Sequence, residues 1–275
     1  MVHELSEGFP ALIAFDLDDT LAPSKSPLPA GMGAALRALL AVRPVCIISG
    51  GQFGQFRSQV LDRLPADADL GGLHLMPTCG TRYMRFVDGA WCELYAHDLE
   101  PDQRRAAIDS IEHRAAELGL WEPDGTVDGE RIEDRGSQIT YSALGQEAPV
   151  DAKRSWDPDG AKREALRAAI AGDLPGLEVR AGGSTSIDIT RRGIDKAYGI
   201  NQLSAQTGIP LTGILFVGDR LMPGGNDHPV RTIGVPCHQV ADHHETLDYL
   251  GAFIPVLAAG RRPGDELLDL LEPLA

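Results

Sequence analysis

Three apolar runs of strand length are each followed by aspartate or serine residues, whose side chains can act as nucleophiles or ligands. This repeated arrangement constrains the fold most strongly. Uninterrupted apolar runs of this length are typical of strands buried on both faces of a parallel sheet. Parallel strands bring their carboxyl ends to one edge, where α/β folds bind their ligands. The pattern therefore predicts an α/β fold with a doubly wound parallel sheet. The runs are residues 11–15 before Asp16 and Asp18, 45–48 before Ser49, and 213–217 before Asp219.

The first run ends in three carboxylates within four residues, namely Asp16, Asp18 and Asp19. Side chains alternate along an extended chain, so Asp16 and Asp18 can point to the same side. Two carboxylates held that close repel each other unless they bind a cation or retain a proton. The motif therefore indicates a hard-metal site with a nucleophile. Taken alone, it also fits a solvated acidic turn after a strand.

The chain is long enough for two domains, and its pattern changes in the middle. Up to residue 76 strands alternate with helices, but residues 82–86 and 90–95 indicate a hairpin. Further helices and strands typical of an antiparallel α+β unit follow. The first pattern resumes near residue 194, with a last strand predicted at 231–235 and helix beyond it. We therefore expect a catalytic core of residues 1–81 and 190–275, with an inserted α+β domain at 82–189.

The charge balance and the cysteines exclude several classes of protein. The 275 residues carry a formal net charge of −15, which argues against partners such as nucleic acid or an anionic membrane. No apolar run is long enough for a membrane span, and residues 1–7 lack the apolar region of a signal peptide. The four cysteines form no CxxC pair, so we expect free thiols in a reducing cytoplasm. An anionic substrate would need a local positive pocket or a metal.

Two further residues are suited to holding phosphate oxygens. Ser49, followed by Gly50, supplies a hydroxyl donor at the end of the second run. Lys196 lies on a helix predicted at 194–205 and supplies a fixed cation. By itself, Lys196 also fits the solvated face of its helix.

The third run leads into a glycine-rich loop at residues 222–227. Asp219, together with the first two aspartates, offers oxygen ligands suited to Mg²⁺, although alone it also fits a helix cap. Asn226 and Asp227 can orient Asp219 or Lys196, because the loop glycines permit close backbone approach. The candidate metal residues are Asp16, Asp18, Asp219 and Asp227, and Asn226 is a candidate substrate contact.

These motifs resemble the four motifs of the haloacid dehalogenase superfamily of phosphotransferases. That superfamily places its type C2 cap between the second and third motifs, where the α+β insert lies. The long fourth motif and the segment 182–189 with 193–196 are most similar to the eukaryotic-type phosphomannomutase branch. The four matching motifs are 16–20, Ser49, Lys196, and 218–219 with 226–227.

The resemblance implies a covalent mechanism acting on a phosphorylated sugar. Asp16 would attack phosphorus to form an aspartyl-phosphate, and Asp18 would act as general acid and then base. Mg²⁺, held by Asp16, the backbone carbonyl of Asp18, and Asp219, would neutralise the phosphate oxygens. Ser186 and Asp188 match sugar-hydroxyl contacts of the branch, although they also fit strand residues that face solvent. Whether the chain acts as a homodimer is left open.

The phosphate acceptor decides between two activities, because water gives a phosphatase and a second sugar hydroxyl gives a mutase. In the mutase branch, cap arginines grip the distal phosphate of a bisphosphate intermediate. This chain has Arg135 at one such position, Gln146 at another, and Lys153 and Arg154 near a third. Glutamine lacks the charged bidentate grip of arginine. We therefore expect a sugar-phosphate phosphatase, with a mannose-type phosphohexomutase as the alternative. An inactive binding module is disfavoured by the intact motifs.

Overall fold

The computed structural model describes residues 9–182 and 184–259, which form two compact units. Within these ranges, the first unit comprises residues 9–96 and 195–259, and the second comprises residues 97–194. Gly183, which belongs to the segment similar to the mutase branch, lies outside the described residues. So do both predicted ends of the core and the helix predicted beyond residue 259.

The helices and strands are numbered along the chain. The strands are β1 Leu12–Phe15, β2 Val45–Ile48, β3 Leu73–Met76, β4 Arg82–Val87, β5 Ala90–Ala96, β6 Ile132–Asp134, β7 Gln138–Ser142, β8 Leu177–Ala181, β9 Ser186–Arg191, β10 Ile214–Gly218 and β11 Cys237–Gln239. The helices are α1 Ala30–Leu40, α2 Phe53–Gln59, α3 Pro101–Glu117, α4 Val150–Trp156, α5 Ala161–Asp173, α6 Lys196–Thr207, α7 His228–Thr232 and α8 His243–Ala258.

The first unit is built on a seven-stranded sheet in the order β11-β10-β1-β2-β3-β4-β5. The strands from β11 to β3 run parallel, which confirms the predicted α/β class. The three apolar runs form β1, β2 and β10, and every residue of these strands is buried. Their side chains fill a core on each face of the sheet, against α1 and α8 on one face and α6 on the other. This packing holds the strand ends of one edge in fixed positions.

The hairpin β4–β5 belongs to this sheet and not to the inserted unit. Residue Leu75 of β3 pairs antiparallel with Met84, so the hairpin extends the sheet past β3. The predicted boundaries at residues 82 and 189 therefore move to 97 and 194 in the structure. A hairpin pattern is local, and the partner strand on which it packs is set by tertiary structure.

The strand predicted at residues 231–235 is wrong. This segment instead contains the end of α7, and β11 follows at 237–239. Pro229 lies in the first turn of α7, where its fixed φ favours the start of a helix. The β-branched residues after it resemble a strand only in composition.

The second unit is an antiparallel sheet in the order β6-β7-β9-β8. Alternate residues of β7 and β9 pack with α3 and α5 into a second core, which includes Tyr141 and Ile189. The intervening residues are polar, and register places Thr140 opposite Asp188 and Asp188 opposite Arg180. The unit is therefore an α+β domain with one polar sheet face. Among the described residues of the chain, no helix is both long and apolar enough to cross a bilayer.

Candidate active site

Lys196 joins two carboxylates at the carboxyl edge of the parallel sheet. Its Nζ lies 2.6 Å from Oδ1 of Asp16 and 2.5 Å from Oδ1 of Asp227. Asp16 directly follows β1, and its backbone N–H donates to the carbonyl of Val217 at 3.0 Å. Lys196 is only 2% exposed and Asp227 is fully buried. The lysine is therefore a buried partner of two acids and does not lie on a solvated helix face.

The electrostatics of this cluster follow from burial and from the shared ammonium. Burial raises the pKa of Asp16, and the charge of Lys196 opposes that rise. Burial alone would lower the pKa of Lys196, but Asp16 and Asp227 together raise it well above its usual range. Lys196 therefore stays protonated at neutral pH. Burial and the charge of Asp227 also raise the pKa of Asp219. A cation bound by these oxygens would stabilise the carboxylate forms.

Three carboxylates offer a donor set for a hard cation. One oxygen each of Asp16, Asp219 and Asp227 lies within 4.8 Å of the others. Oxygen-only ligands at this spacing fit Mg²⁺, which prefers carboxylates and retains several waters. Both oxygens of Asp227 have protein donors as well, since Oδ2 accepts the Arg220 N–H at 3.0 Å. Asp227 is therefore better placed to orient Lys196 than to bind metal with both oxygens.

The start of α6 fixes the position of Lys196. Asp195 caps the helix, because its side chain accepts the N–H of Tyr198 at 2.9 Å. Gly199, one turn later, packs so closely that a Cβ would lie 2.3 Å from Cδ1 of Ile48 and 2.8 Å from the carbonyl of Cys79. The first turn of α6 is therefore held against the sheet at the end of β2.

Asp18 lies in a tight loop that follows Asp16. Asp19 adopts a positive φ of 62°, and its N–H donates to the carbonyl of Ala22 at 2.7 Å. The carboxylate of Asp18 is half-buried and accepts the N–H of Lys25 at 2.6 Å. Its charge contributes to the raised pKa of Asp16, which shows that the two acids are electrostatic neighbours.

Ser49 is buried at the end of β2, beside the end of β1. Its Oγ accepts the N–H of Gly51 at 3.2 Å, so its own proton is available for an anionic oxygen. Its carbonyl accepts the N–H of Cys79 at 2.9 Å. Gly50, between Ser49 and Gly51, is partly exposed.

Asp219 follows β10 and lies at the rim of the cluster, with a side chain that is 12% exposed. Its Oδ1 accepts the hydroxyl of buried Thr20 at 3.3 Å, which ties the fourth motif to the first. Gly218 before it has no room for a side chain, because a Cβ would lie 2.5 Å from Oδ2 of Asp227. Asn226 is exposed on the loop, unlike its neighbour Asp227.

Two of the basic residues predicted in the second unit, Arg135 and Lys153, have partners within that unit. The guanidinium of Arg135 lies 2.6 Å from the carboxylate of Glu133, and their side chains are 10% and 13% exposed. The ammonium of Lys153 donates to the backbone carbonyl of Gln146 at 2.8 Å. Gln146 is half-buried and Arg154 is exposed.

Ser186 and Asp188 lie on the polar face of the second sheet. Oδ1 of Asp188 accepts bonds from Gln138 Nε2 at 2.9 Å and from Thr140 Oγ1 at 2.8 Å. Ser186 is half-buried and lies opposite Ser142. Asp188 is therefore a fixed acceptor in a hydrogen-bond network and not a loose surface residue.

Several residues that support the site were not predicted. Thr20 lies within the first motif at 16–20 and Asp195 within the segment 193–196, so both had a sequence signal although neither was given a role. Gln55, whose amide lies 3.4 Å from Asp18, and the turn at residues 78–80 had none. Their positions depend on how α2 and β3 pack beside β1 and β2.

By sequence, the chain is similar to phosphomannomutases. The family model of eukaryotic phosphomannomutase matches residues 123–252. The phosphomannomutase of Saccharomyces cerevisiae is 26% identical over 255 residues, which cover 87% of this chain and 92% of the relative. That of Schizosaccharomyces pombe is 25% identical over 253 residues, which cover 86% and 91%.

Comparison of structures identifies solved proteins with a similar fold. The IMP-bound, N-terminally truncated IMP-nucleotidase of Plasmodium falciparum has a TM-score of 0.67 at 14% identity, covering 91% of this chain and 69% of that chain. A trehalose-6-phosphate phosphatase related protein has a TM-score of 0.54 at 15% identity, covering 91% and 100%. At such identities the likeness establishes a shared fold and leaves the substrate open.

Proposed function

Because the chain belongs to the haloacid dehalogenase superfamily, as a member with a C2-type cap, we propose that it is a Mg²⁺-dependent phosphatase of sugar phosphates. The observation that carries the proposal is the buried contact between Asp16 and Lys196 at the end of β1. There the ammonium of Lys196 positions the carboxylate of Asp16 for nucleophilic attack on phosphorus. The four cysteines have free thiols, which fits the reducing cytoplasm that we propose as its location.

The first step transfers the phosphoryl group to the protein. An oxygen of Asp16 attacks phosphorus, and the bond from phosphorus to the sugar oxygen breaks. Protonated Asp18 gives its proton to the leaving sugar oxygen. Lys196 holds Asp16 in position, and the hydroxyl of Ser49 donates to a phosphate oxygen. The products are the free sugar and an aspartyl-phosphate on Asp16.

The second step releases inorganic phosphate. Asp18, now a carboxylate, takes a proton from water as the water oxygen attacks phosphorus. The bond between phosphorus and the Asp16 oxygen breaks, which restores both acids to their initial state. Asp16, the backbone carbonyl of Asp18, and Asp219 would hold Mg²⁺, with Asp227 beside them. When bound, the metal supplies positive charge that neutralises the phosphate oxygens.

The basic residues of the second unit favour water over a second sugar hydroxyl as acceptor. A mutase must retain a bisphosphate intermediate, and that requires a cationic grip on the distal phosphate. Here Arg135 is engaged by Glu133, Lys153 is bonded to the Gln146 carbonyl, and Gln146 itself is uncharged. A grip weakened in this way favours loss of the intermediate and therefore hydrolysis.

A phosphohexomutase of the mannose type is the second candidate. Its support is the sequence similarity to phosphomannomutases, which extends over most of the chain. Polar side chains fixed on the second sheet, such as Asp188, fit sugar hydroxyls in either case. The two candidates share every step up to the aspartyl-phosphate and differ only in the acceptor.

A panel of hexose 1- and 6-phosphates with Mg²⁺ separates the two candidates. Each reaction is scored for inorganic phosphate and for isomerised sugar phosphate, with and without a hexose bisphosphate. We expect phosphate release that needs no bisphosphate, and isomerisation that depends on bisphosphate with little phosphate release would establish the mutase instead. Asp16→Asn is the control, because it keeps the size of the side chain but removes the nucleophile. Activity above about one hundredth of wild type in this variant would refute the proposed mechanism.

A further inference from the structure

The turn after β3 has an unusual backbone. Three consecutive residues have positive φ, at 49° for Thr78, 54° for Cys79 and 83° for Gly80. Glycine adopts such angles readily, but for a β-branched residue such as threonine a positive φ is a genuine outlier. Conformations of this kind persist only where the surroundings hold them, and they cluster at functional sites.

A pair of buried threonine hydroxyls closes this turn. Oγ1 of Thr81 donates to the carbonyl of Thr78 at 2.9 Å and lies 2.5 Å from Oγ1 of Thr78. Since Thr81 has one hydroxyl proton, the short contact is made with Thr78 as the donor. Both side chains are about 1% exposed. The Thr81 hydroxyl therefore accepts a bond from the Thr78 hydroxyl and donates one to the Thr78 carbonyl. Both bonds hold Thr78, the residue with the outlying φ.

One side of the turn holds the serine loop of the active site. The N–H of Cys79 donates to the carbonyl of Ser49 at 2.9 Å, and the N–H of Thr78 donates to the carbonyl of Gly51 at 3.0 Å. The two bonds lie on either side of Gly50. Any relaxation of φ in the turn would redirect these N–H groups and release the loop.

The other side of the turn holds the start of α6. A Cβ on Gly80 would lie 2.4 Å from Cα of Gly199, and a Cβ on Gly199 would lie 2.8 Å from the carbonyl of Cys79. The two backbones thus meet with no side chain between them. Gly199 is in the first turn of α6, which begins at Lys196. The same turn therefore supports both Ser49 and Lys196.

We propose that Thr81 is a positioning residue for phosphoryl transfer, which acts by locking the left-handed turn 78–80 against the Ser49 loop and the first turn of α6. This inference rests on the proposed function of the site. The hydroxyl of Thr81 bonds the backbone and side chain of Thr78, so its effect passes through the geometry of the turn. Loss of its hydroxyl lets Ser49 and Lys196 shift together, which weakens the alignment required in the transition state.

The test compares Thr81→Val, which keeps the shape and removes the hydroxyl, with Thr81→Ser, which keeps the hydroxyl. The control is Thr246→Val, because Thr246 on α8 is fully buried and its hydroxyl donates to the carbonyl of Asp242, the N-cap of that helix. Turnover is measured with p-nitrophenyl phosphate and Mg²⁺, and folding is measured by thermal unfolding. We expect Thr81→Val to lower kcat at least tenfold with KM changed less than threefold, and Thr81→Ser to recover most of it. Thr246→Val should lose stability with kcat within twofold of wild type.

A kcat within twofold of wild type in folded Thr81→Val would overturn the inference, as would equal losses in Thr81→Val and Thr81→Ser. If Thr81→Val does not fold, the double variant Thr78→Gly with Thr81→Val decides, since Thr78 has the outlying φ and glycine accepts a positive φ without strain. Near wild-type kcat in the double variant supports the lock, and a low kcat in the folded double variant overturns it. Failure of the proposed function is distinct, because then wild type would show no turnover or Asp16→Asn would retain it.

Discussion

Replacing Lys196 by methionine tests the central feature of the site, an ammonium shared by two buried acids. Methionine keeps the length and the apolar stem of lysine but removes the charge. In the structure the ammonium lies 2.6 Å from Asp16 and 2.5 Å from Asp227, and the side chain is 2% exposed. The variant therefore leaves two buried carboxylates facing each other without a counter-charge.

The size of the effect follows from the burial of these charges. Removing one partner of a buried ion pair costs about 3–5 kcal/mol, because the other charge is left uncompensated. Two acids remain here, so we expect a loss at the upper end of that range at pH 8. The pKa of a remaining acid in the folded variant can exceed its pKa in the unfolded chain. For each unit of that difference, protonation of the acid stabilises the folded state by about 1.4 kcal/mol.

The sign of the pH dependence is fixed by which state binds the proton more tightly. Burial already raises the pKa of Asp16 to about 8, and loss of Lys196 raises it further. An acid with a raised pKa binds its proton more tightly in the folded state, so stability increases as the pH falls from 8 toward 4. The deficit of Lys196→Met relative to wild type should therefore be largest at pH 8 and clearly smaller at pH 5.

Urea unfolding at both pH values, in the presence of a chelator, measures this deficit. The matched control is Lys162→Met, which removes an exposed ammonium that lies 4.7 Å from the ring of Trp156 and should cost about 1 kcal/mol or less. A loss below about 1 kcal/mol for Lys196→Met at pH 8 would refute the reasoning. A deficit of the same size at both pH values would show that the two acids do not take up protons in place of the ammonium.

Chelation with EDTA should abolish turnover and added Mg²⁺ should restore it, and full activity in excess chelator would remove the metal from the mechanism. Gln146→Arg should increase the affinity for a hexose bisphosphate by about tenfold or more, since a charged hydrogen bond contributes about 1.5–3 kcal/mol; an unchanged dissociation constant would contradict the role given to this position. Burial, followed by the charge of Arg85, lowers the pKa of His74 to about 3. Below pH 6.5 the imidazole is therefore protonated in the unfolded chain and neutral in the folded chain, so stability falls as the pH is lowered. Unfolding of His74→Gln should thus depend less on pH between 6.5 and 4.5 than that of wild type, and parallel curves would be evidence against a neutral, buried His74.

The parts of the site that lie at strand ends were predictable from the sequence. The run before Asp16 and the run before Asp219 are apolar throughout, and such runs form interior strands whose ends meet at one edge. The register of β1 with β10 places Phe15 beside Val217, so the aspartates after them become neighbours. Lys196, on the helix that precedes β10, completed the predicted set.

The parts that depend on tertiary packing were not predictable. The alternation of residues 82–96 identifies a hairpin, but its pairing with β3 is fixed by the turn at 78–80, whose positive φ angles fall on threonine and cysteine. The partner of Arg135 is Glu133, two residues away on the same face, and that pairing depends on the local strand conformation. A count of basic residues in the insert therefore overstates the charge available to a substrate.

The chain returns from the insert at Asp195, and this residue caps α6 at once. Lys196 is therefore anchored within one residue of the junction, by a helix cap that belongs to the first unit. An evolving gene can lengthen, shorten or exchange the segment between residues 97 and 194 while the ammonium stays in place. The Lys196 cluster and the inserted unit are thus separable in this architecture, and recombination at the two junctions is a route to exchange the insert without rebuilding that cluster.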